Sequence, residues 1–188
     1  MDCLPLVLAS ASPRRRELLT LLGVPFVVDA PDVDEHCVLT ASAAVQEISR
    51  RKAKAGAVAH PGQAVLAADT LVTLDGHPLG KPSNEEDAFR MLSSLSGRWH
   101  HVYTGVCVVS AQGELFSGMD DSMVRFAAMS DAEIRAYIAT GEPMDKAGAY
   151  ALQGIAAQFV EQVQGVPSGI IGLPLPLTRR LLCQAGVL

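Results

Sequence analysis

The sequence lacks the cysteine and histidine patterns that mark metal sites. Its four cysteines, Cys3, Cys37, Cys107 and Cys183, are widely spread without a C-x-x-C pair, and its five histidines follow no ligand spacing. A zinc site is therefore excluded. The spread of cysteines predicts reduced and mostly buried thiols, as in a cytoplasmic protein.

Three familiar catalytic or nucleotide-binding signatures are also missing. There is no G-x-x-x-x-G-K-[ST] segment and no G-x-G-x-x-G segment, so neither a P-loop nor a Rossmann fingerprint is available. The segment Gly165-Val166-Pro167-Ser168-Gly169 has its serine one place too late for a G-x-S-x-G nucleophile elbow. A serine hydrolase is therefore excluded.

Long apolar runs and an excess of positive charge are absent as well. No stretch approaches the roughly 18 apolar residues of a membrane span. The apolar run from Cys3 to Ala11 follows Met1-Asp2 without a basic leader and precedes three arginines, so we expect no signal peptide. The net charge of −5 argues against a nucleic-acid or membrane-surface partner. We predict a cytoplasmic protein that binds neither nucleic acid nor membrane.

The positive charge that is present is concentrated near the start of the chain. In the stretch SASPRRRELL (residues 10–19), Ser12 is a good N-cap and Pro13 suits the first helical position. The three arginines therefore fall in the first turn of a predicted helix. Cations at a helix N-terminus cost up to roughly 1 kcal/mol each, because that end is already positive. We therefore predict that an anion binds there.

Strand and helix patterns alternate along the 188 residues without the regular spacing of a doubly wound sheet. The predicted strands are residues 6–9, 25–28, 64–74, 101–109, 123–128 and 158–163. The predicted helices begin near Pro13, after Thr40, at capping boxes formed by Ser83 with Glu86 and by Ser130 with Glu133, and near Pro174 or Pro176. Asp75-Gly76 predicts a hairpin turn. We predict one α/β domain over residues 1–188, with a mixed β-sheet and flanking helices.

Asp69 is a carboxylate inside the apolar strand AVLAADTLV (residues 64–72). Burying an unpaired charge costs several kcal/mol, so Asp69 needs a partner, a metal or access to water. It is either a carboxylate hydrogen-bonded at a bulge or a metal ligand or general base in a cleft. The acidic loop with Asp32, Asp34 and Glu35 is either solvated or supplies a second carboxylate for Mg²⁺.

Three lysines stand in conspicuous settings. Lys52 lies in the basic stretch SRRKAKA, Lys81 between a glycine and a proline in LGKPSN, and Lys146 in the Gly-bearing loop EPMDKAGAYALQG. Each one alone is typical of a solvated surface. Together with the arginines of the first helix, they indicate several cations around a polyanion.

These stretches, in this order, resemble the Maf family of nucleoside triphosphate pyrophosphatases. The resemblance is carried by LASASPRRRELL (8–19), KAKA (52–55), AADTLV (67–72), LGKP (79–82), SLSGRWHHVYTGV (94–106), GEPMDKAGAYALQG (141–154) and GLPLPL (172–177). It covers nearly the whole chain, and the first and sixth segments are the most specific.

The resemblance implies an elongated mixed α/β fold of the inosine-triphosphatase type, with two lobes around a cleft. It also implies hydrolysis of a nucleoside triphosphate between the α- and β-phosphates with a divalent cation, Mg²⁺ or Mn²⁺. Its implied catalytic residue is Asp69. The implied phosphate-binding residues are Ser10, Arg14, Arg15, Lys52 and Lys81, and the implied metal ligands are Asp69, Asp34 and Glu35. One departure is Arg51, where relatives often carry glutamate or glutamine, and we expect little consequence from it.

The Maf family that this sequence resembles divides into groups, one acting on dTTP and UTP and another on 7-methyl-GTP. Arg14, Thr70 and Gln153, together with Lys146 in the D-K-A-G segment, match the pyrimidine group. The amide of Gln153 is both donor and acceptor, which suits a uracil or thymine edge. A homodimer is a further expectation. The alternative function is a nucleotide-binding regulator of cell division with little catalysis.

Overall fold

The computed structural model describes residues 5–188, in which seven strands form one mixed β-sheet. The strands are β1 (Leu6–Leu8), β2 (Phe26–Val28), β3 (Val65–Leu74), β4 (His77–Leu79), β5 (Trp99–Val109), β6 (Leu115–Phe126) and β7 (Val160–Gln164). Their order is β2-β1-β3-β5-β6-β7, with β4 paired to β3 beyond this path. β1 runs parallel to β2 and β3, and the other pairs are antiparallel. The predicted mixed α/β fold is confirmed.

Six α-helices and three short 3₁₀ turns surround the described part of the sheet. The helices are α1 (Pro13–Thr20), α2 (Ala41–Ala59), α3 (Glu85–Leu95), α4 (Asp131–Ile138), α5 (Pro167–Ile171) and α6 (Leu175–Gln184). The 3₁₀ turns are Glu142–Asp145, Ala147–Ala149 and Ile155–Phe159. Across residues 5–188, none of the helices combines the length and the apolar character that a membrane crossing needs.

Three of the predicted local signals are present as expected. The Ser12 hydroxyl caps α1 by accepting from the Arg15 N–H, and Ser130 and Glu133 form the reciprocal capping box of α4. Asp75 and Gly76 both have positive φ (51° and 79°) in the two-residue turn between β3 and β4. Positive φ at both central residues is typical of a type I′ turn, whose twist matches that of the flanking strands.

Two predictions differ from the structure. The predicted box at Ser83 is wrong, because Asn84 is the N-cap of α3 and accepts from the Asp87 N–H at 2.9 Å. β6 begins at Leu115, eight residues before the predicted start. Its first half contains Gly118 and adjacent aspartates, which propensity disfavours in strands. Gly118 is accommodated because Leu177 of α6 fills the space that its side chain would take.

Mostly buried thiols were expected, and only Cys107 is buried among the described cysteines. Cys107 is fully buried and burial raises the pKa of its thiol to about 11, so it stays protonated. Cys37 is half-buried and Cys183 is exposed, and all three are free. Cys3 lies outside the described residues.

The core is divided by the sheet. Helix α2 packs directly on one face, where a Cβ on Gly105 of β5 would lie 2.3 Å from the Val45 carbonyl oxygen. Only glycine permits this approach of helix backbone to strand. On the other face, α1 and α6 bury Leu18, Leu19 and Leu182 against the sheet. This packing brings the N-terminus of α1 and the third turn of α2 to the middle of β3.

Candidate active site

A cavity of roughly 700 Å³ opens where β1 ends, α1 begins and β3 passes beneath α2. Segments around residues 80–81 and 145–153 complete its walls. The predicted site residues that line it are Ser10, Arg14, Arg15, Glu35, Lys52, Asp69, Thr70, Lys81, Lys146 and Gln153. Asp34 is the one residue of the predicted set that does not line it. Segments far apart in sequence therefore meet at one polar cavity.

Asp69 lies in the middle of β3, opposite Gly105 of β5, and is 8% exposed. The pairing between these strands is continuous from Val65 to Thr73, so the bulge considered for Asp69 is not present. The Lys52 ammonium donates to Asp69 Oδ1 at 2.9 Å. Burial raises the pKa of Asp69 above its ordinary value, because it outweighs the opposing attraction of Lys52.

Lys52 forms an ion pair with a second carboxylate as well as with Asp69. Its ammonium lies 2.8 Å from Oε1 of Glu35, whose side chain is 60% exposed. Asp34 instead accepts a hydrogen bond from the His36 N–H at 2.8 Å through its own Oδ1, which closes a local turn of the loop. The acidic loop therefore contributes Glu35 to the cavity, and Asp32, like Asp34, does not line it.

Arg15 is held by three acceptors, two of which come from distant parts of the chain. Its Nε donates to the Gly172 carbonyl at 2.9 Å, its Nη1 to Ser10 Oγ at 3.1 Å and its Nη2 to Thr70 Oγ1 at 3.2 Å. Burial lowers the pKa of the guanidinium and Asp69 opposes that shift, although an arginine remains charged in proteins. Two N–H donors remain after these bonds, so Arg15 can still bind an anion in the cavity.

The hydroxyl of Thr70 points into a hydrogen-bond chain. Thr104 Oγ1 donates to the Gly169 carbonyl at 2.8 Å, so the 2.9 Å contact between the two hydroxyls has Thr70 as donor. The Thr70 oxygen is then free to accept from Arg15. Thr70 therefore contacts a cation of the site directly and the Gly169 carbonyl only through Thr104, and its proton is already committed.

Glu142 supports the loop that carries Gln153. The sequence analysis did not identify Glu142 as a functional residue. The Glu142 carboxylate accepts from the N–H groups of Ile155 (2.9 Å) and Ala156 (3.3 Å) and from the Tyr137 hydroxyl (2.8 Å). Burial alone would raise the pKa of Glu142, but these three donors together lower it. The carboxylate lies so close to Gly154 that a Cβ there would clash with it at 2.2 Å. A side chain directly after Gln153 would therefore displace the Glu142 carboxylate from its present position.

Tyr150, which lines the cavity, packs against the buried His100 behind it. The Tyr150 hydroxyl lies 2.8 Å from Nε2 of His100, whose ring is 1% exposed. Burial lowers the pKa of His100 to about 4, so the imidazole is neutral near pH 7. Lys146 pairs with the neighbouring Asp145, and Lys81 is exposed at the cavity mouth. Among the three arginines of α1, Arg14 and Arg15 line the cavity and Arg16 does not.

The sequence matches the model of one protein family. The model of the family described as Maf-like protein matches residues 5–185, and the chain therefore belongs to the Maf family. Three relatives are each named dTTP/UTP pyrophosphatase. The Symbiobacterium thermophilum protein is 49% identical over 183 residues, covering 96% of this chain and 94% of that protein. The Anaeromyxobacter dehalogenans (strain 2CP-C) protein is 51% identical with the same coverage, and the Thermococcus onnurineus protein is 49% identical, covering 94% and 95%.

Solved structures give a weaker similarity. The Staphylococcus aureus Ham1 protein superposes with a TM-score of 0.49 at 17% identity, covering 65% of this chain and 71% of that one. A nucleoside-triphosphatase (dITP/XTP pyrophosphatase) from Mycobacterium abscessus gives 0.46 at 16% identity, covering 97% of each. With TM-scores below 0.5, these two similarities carry no argument.

Proposed function

We propose that this protein is a nucleoside triphosphate pyrophosphatase that hydrolyses dTTP and UTP to the monophosphate and pyrophosphate, removing excess or non-canonical nucleotides. One observation carries the proposal: a buried carboxylate, Asp69, lies in a cavity that is lined by several cations. Those cations are Arg14, Arg15, Lys52, Lys81 and Lys146. The printed names of relatives about 50% identical support the same activity.

The residues present suit cleavage of the bond between the α- and β-phosphates. Asp69 would accept a proton from the attacking water, and its raised pKa brings it closer to the range that suits a general base. The cations would stabilise the charge that develops on the leaving pyrophosphate, which is the dominant need of phosphoryl chemistry. Lys52, between Asp69 and Glu35, would bind phosphate once substrate competes for its ammonium.

A divalent cation, Mg²⁺ or Mn²⁺, fits the donor set. Asp69 and Glu35 both present carboxylate oxygens at the Lys52 ammonium. No group of three or more metal-binding side chains occurs within residues 5–188. This suits Mg²⁺, which is usually held by one or two carboxylates together with substrate phosphates and water. The metal would neutralise phosphate charge, and we propose Asp69 and Glu35 as its ligands. Asp34 stays a prediction without a contact that supports it.

Base selection is proposed to rest on Gln153. Its side chain is exposed at the cavity, on the loop that Glu142 anchors. A carboxamide can donate to a pyrimidine carbonyl and accept from its ring N–H, as uracil and thymine both require. Sites built on such bonds reject bases that leave the groups unpaired by up to ~10⁴-fold. Arg14 and Lys146 flank the same cavity and are proposed to act with Gln153.

The test is pyrophosphate release over dTTP, UTP, CTP, GTP and 7-methyl-GTP with Mg²⁺, for the wild type and Gln153→Glu. We expect dTTP and UTP to give the highest kcat/KM. The carboxylate of the variant can only accept hydrogen bonds, so it repels the uracil carbonyls and tolerates the cytosine amino group. The ratio of UTP to CTP turnover should therefore fall.

Two outcomes would contradict the proposal. Faster turnover of GTP or 7-methyl-GTP than of dTTP and UTP would overturn the pyrimidine assignment alone. Nucleotide binding without pyrophosphate release would favour the cell-division regulator instead. A cytoplasmic location and a homodimer stay predictions.

A further inference from the structure

Arg51 makes contacts that its sequence setting does not suggest. It precedes Lys52 on α2, and its Nη1 donates to the carbonyl oxygens of Asp34 (3.1 Å) and His36 (3.0 Å). Its Nε donates to Glu47 Oε1 at 3.0 Å, one turn earlier on the same helix. The guanidinium thus bridges α2 and the acidic loop between β2 and α2.

The two carbonyls lie on either side of Glu35. Residues 29–40 form no strand or helix, so their backbone carbonyls need partners other than a ladder. Arg51 supplies one donor to both, and the Asp34 side chain closes the turn through the His36 N–H. Glu35 then reaches Lys52, and through it Asp69.

We propose that Arg51 is a positioning residue that fixes the acidic loop on α2 and so presents the Glu35 carboxylate to the site. Glu47 orients the guanidinium, and Lys52 receives Glu35 on the next residue of the helix. The functional part of this inference rests on the proposed hydrolysis, whereas the loop anchoring stands on contacts alone.

Side-chain chemistry explains why arginine suits this position. Its planar fork offers donors in several directions from one rigid group, so it can bind two carbonyls and a carboxylate together. Glutamate has no donor, and glutamine is shorter with one donor group. Either residue at this position would therefore leave the loop carbonyls without this partner.

The chain offers a matched control in Arg50. Arg50 is the adjacent residue, its side chain has a similar exposure (39% against 36%), and it pairs with the same Glu47 at 3.5 Å. Its hydrogen bonds within residues 5–188 do not include the acidic loop. Arg50→Gln therefore removes one positive charge and an ion pair with Glu47, as Arg51→Gln does, but it leaves the contact with the acidic loop intact.

The first measurement does not depend on activity. A Glu-specific protease cuts after Glu35, and mass spectrometry follows the rate of that cut. We expect cleavage at least fivefold faster in Arg51→Gln and unchanged in Arg50→Gln, with folding of each checked by circular dichroism. Arg51→Lys, which keeps one donor group, should be intermediate and serves if Arg51→Gln does not fold. Equal cleavage of all variants would overturn the anchoring.

The second measurement is a double-mutant cycle with Glu35→Gln, read as kcat/KM for dTTP. Arg51→Gln alone should lose about tenfold, and it should lose nothing further when Glu35 is already glutamine, because it acts through that carboxylate. Arg50→Gln should stay within twofold of the wild type. A full tenfold loss in the Glu35→Gln background would overturn the positioning role. A wild type without hydrolysis would refute the proposed function, while the protease result would still decide the anchoring.

Discussion

Lys52 Nζ lies 2.9 Å from Oδ1 of Asp69, and the side chains of both residues are nearly buried, at 12% and 11% exposure. Burial nevertheless raises the pKa of Asp69. A carboxyl whose folded-state pKa lies above its unfolded value loses its contribution to stability as the pH rises through the folded-state pKa. The ionised Asp69 that catalysis would use is thus held in the fold at a cost.

We predict that Asp69→Asn lowers kcat for dTTP by at least 100-fold while the fold is retained. The amide keeps the shape of the side chain and removes the charge that a base or metal ligand needs. Because the raised pKa makes the ionised form unfavourable, Tm near neutral pH should not fall. Pyrophosphate release and thermal unfolding test both statements, with the exposed Asp32→Asn as control. Turnover close to that of the wild type would refute the role of Asp69.

Substitution of Arg15 and substitution of Lys81 should both lower activity but should differ in their effect on stability. Arg15→Ala and Lys81→Ala are each expected to lower kcat/KM by roughly 10- to 1000-fold, equivalent to about 1–4 kcal/mol. Arg15→Ala should also lower Tm, because Ser10, Thr70 and Gly172 lose their shared donor. Lys81 is exposed and has no ion pair within residues 5–188, so its loss should leave Tm unchanged. Wild-type kinetics in both variants would mean that these cations are surface residues.

Glu142→Gln is predicted to raise KM for dTTP about 5- to 10-fold with a smaller effect on kcat. Glutamine keeps one of the two acceptor oxygens, so its NH2 group would face the N–H of either Ile155 or Ala156, and an unsatisfied buried group costs roughly 1–3 kcal/mol. The loop that carries Gln153 should then loosen. Steady-state kinetics with UTP and dTTP provide the measurement. Glu133→Gln, which changes an exposed capping box far from the cavity, is the control and should leave KM unchanged.

The buried His100 predicts a decline in stability in acid. Its pKa is lowered from 6.5 to about 4, chiefly by burial and further by the nearby His101. Since the unfolded chain binds a proton first, the free energy of unfolding should fall as the pH drops from about 6.5 to about 4. Denaturant unfolding at several pH values measures this slope. His100→Gln should flatten it and the exposed His77→Gln should not; equal slopes would contradict the assignment.

The sequence could predict those features that depend on a local signal or on a chemically unusual residue. Ser12, Ser130 and the Asp75-Gly76 turn act through neighbours a few residues away, and Asp69 was conspicuous as a charge in an apolar strand. Side-chain hydrogen bonds to backbone carbonyls could not be predicted, because every residue has a carbonyl and the sequence does not mark which one will accept. The bonds from Arg15 to Gly172 and from Arg51 to Asp34 are of this kind. Likewise, the early part of β6 depends on pairing with β5 rather than on its own residues.

The bond between Arg15 and Gly172 spans 157 residues and so has a consequence for biosynthesis. At about 5–20 residues per second, the ribosome completes that interval in roughly 8–30 seconds. Throughout this time the nascent chain carries the basic start of α1 without the carbonyl that later holds Arg15. A fragment that stops before α5 would lack this bond as well as the Gly169 acceptor of Thr104. The full hydrogen-bond set of Arg15 therefore forms late, when the last segment of the chain closes onto the first helix.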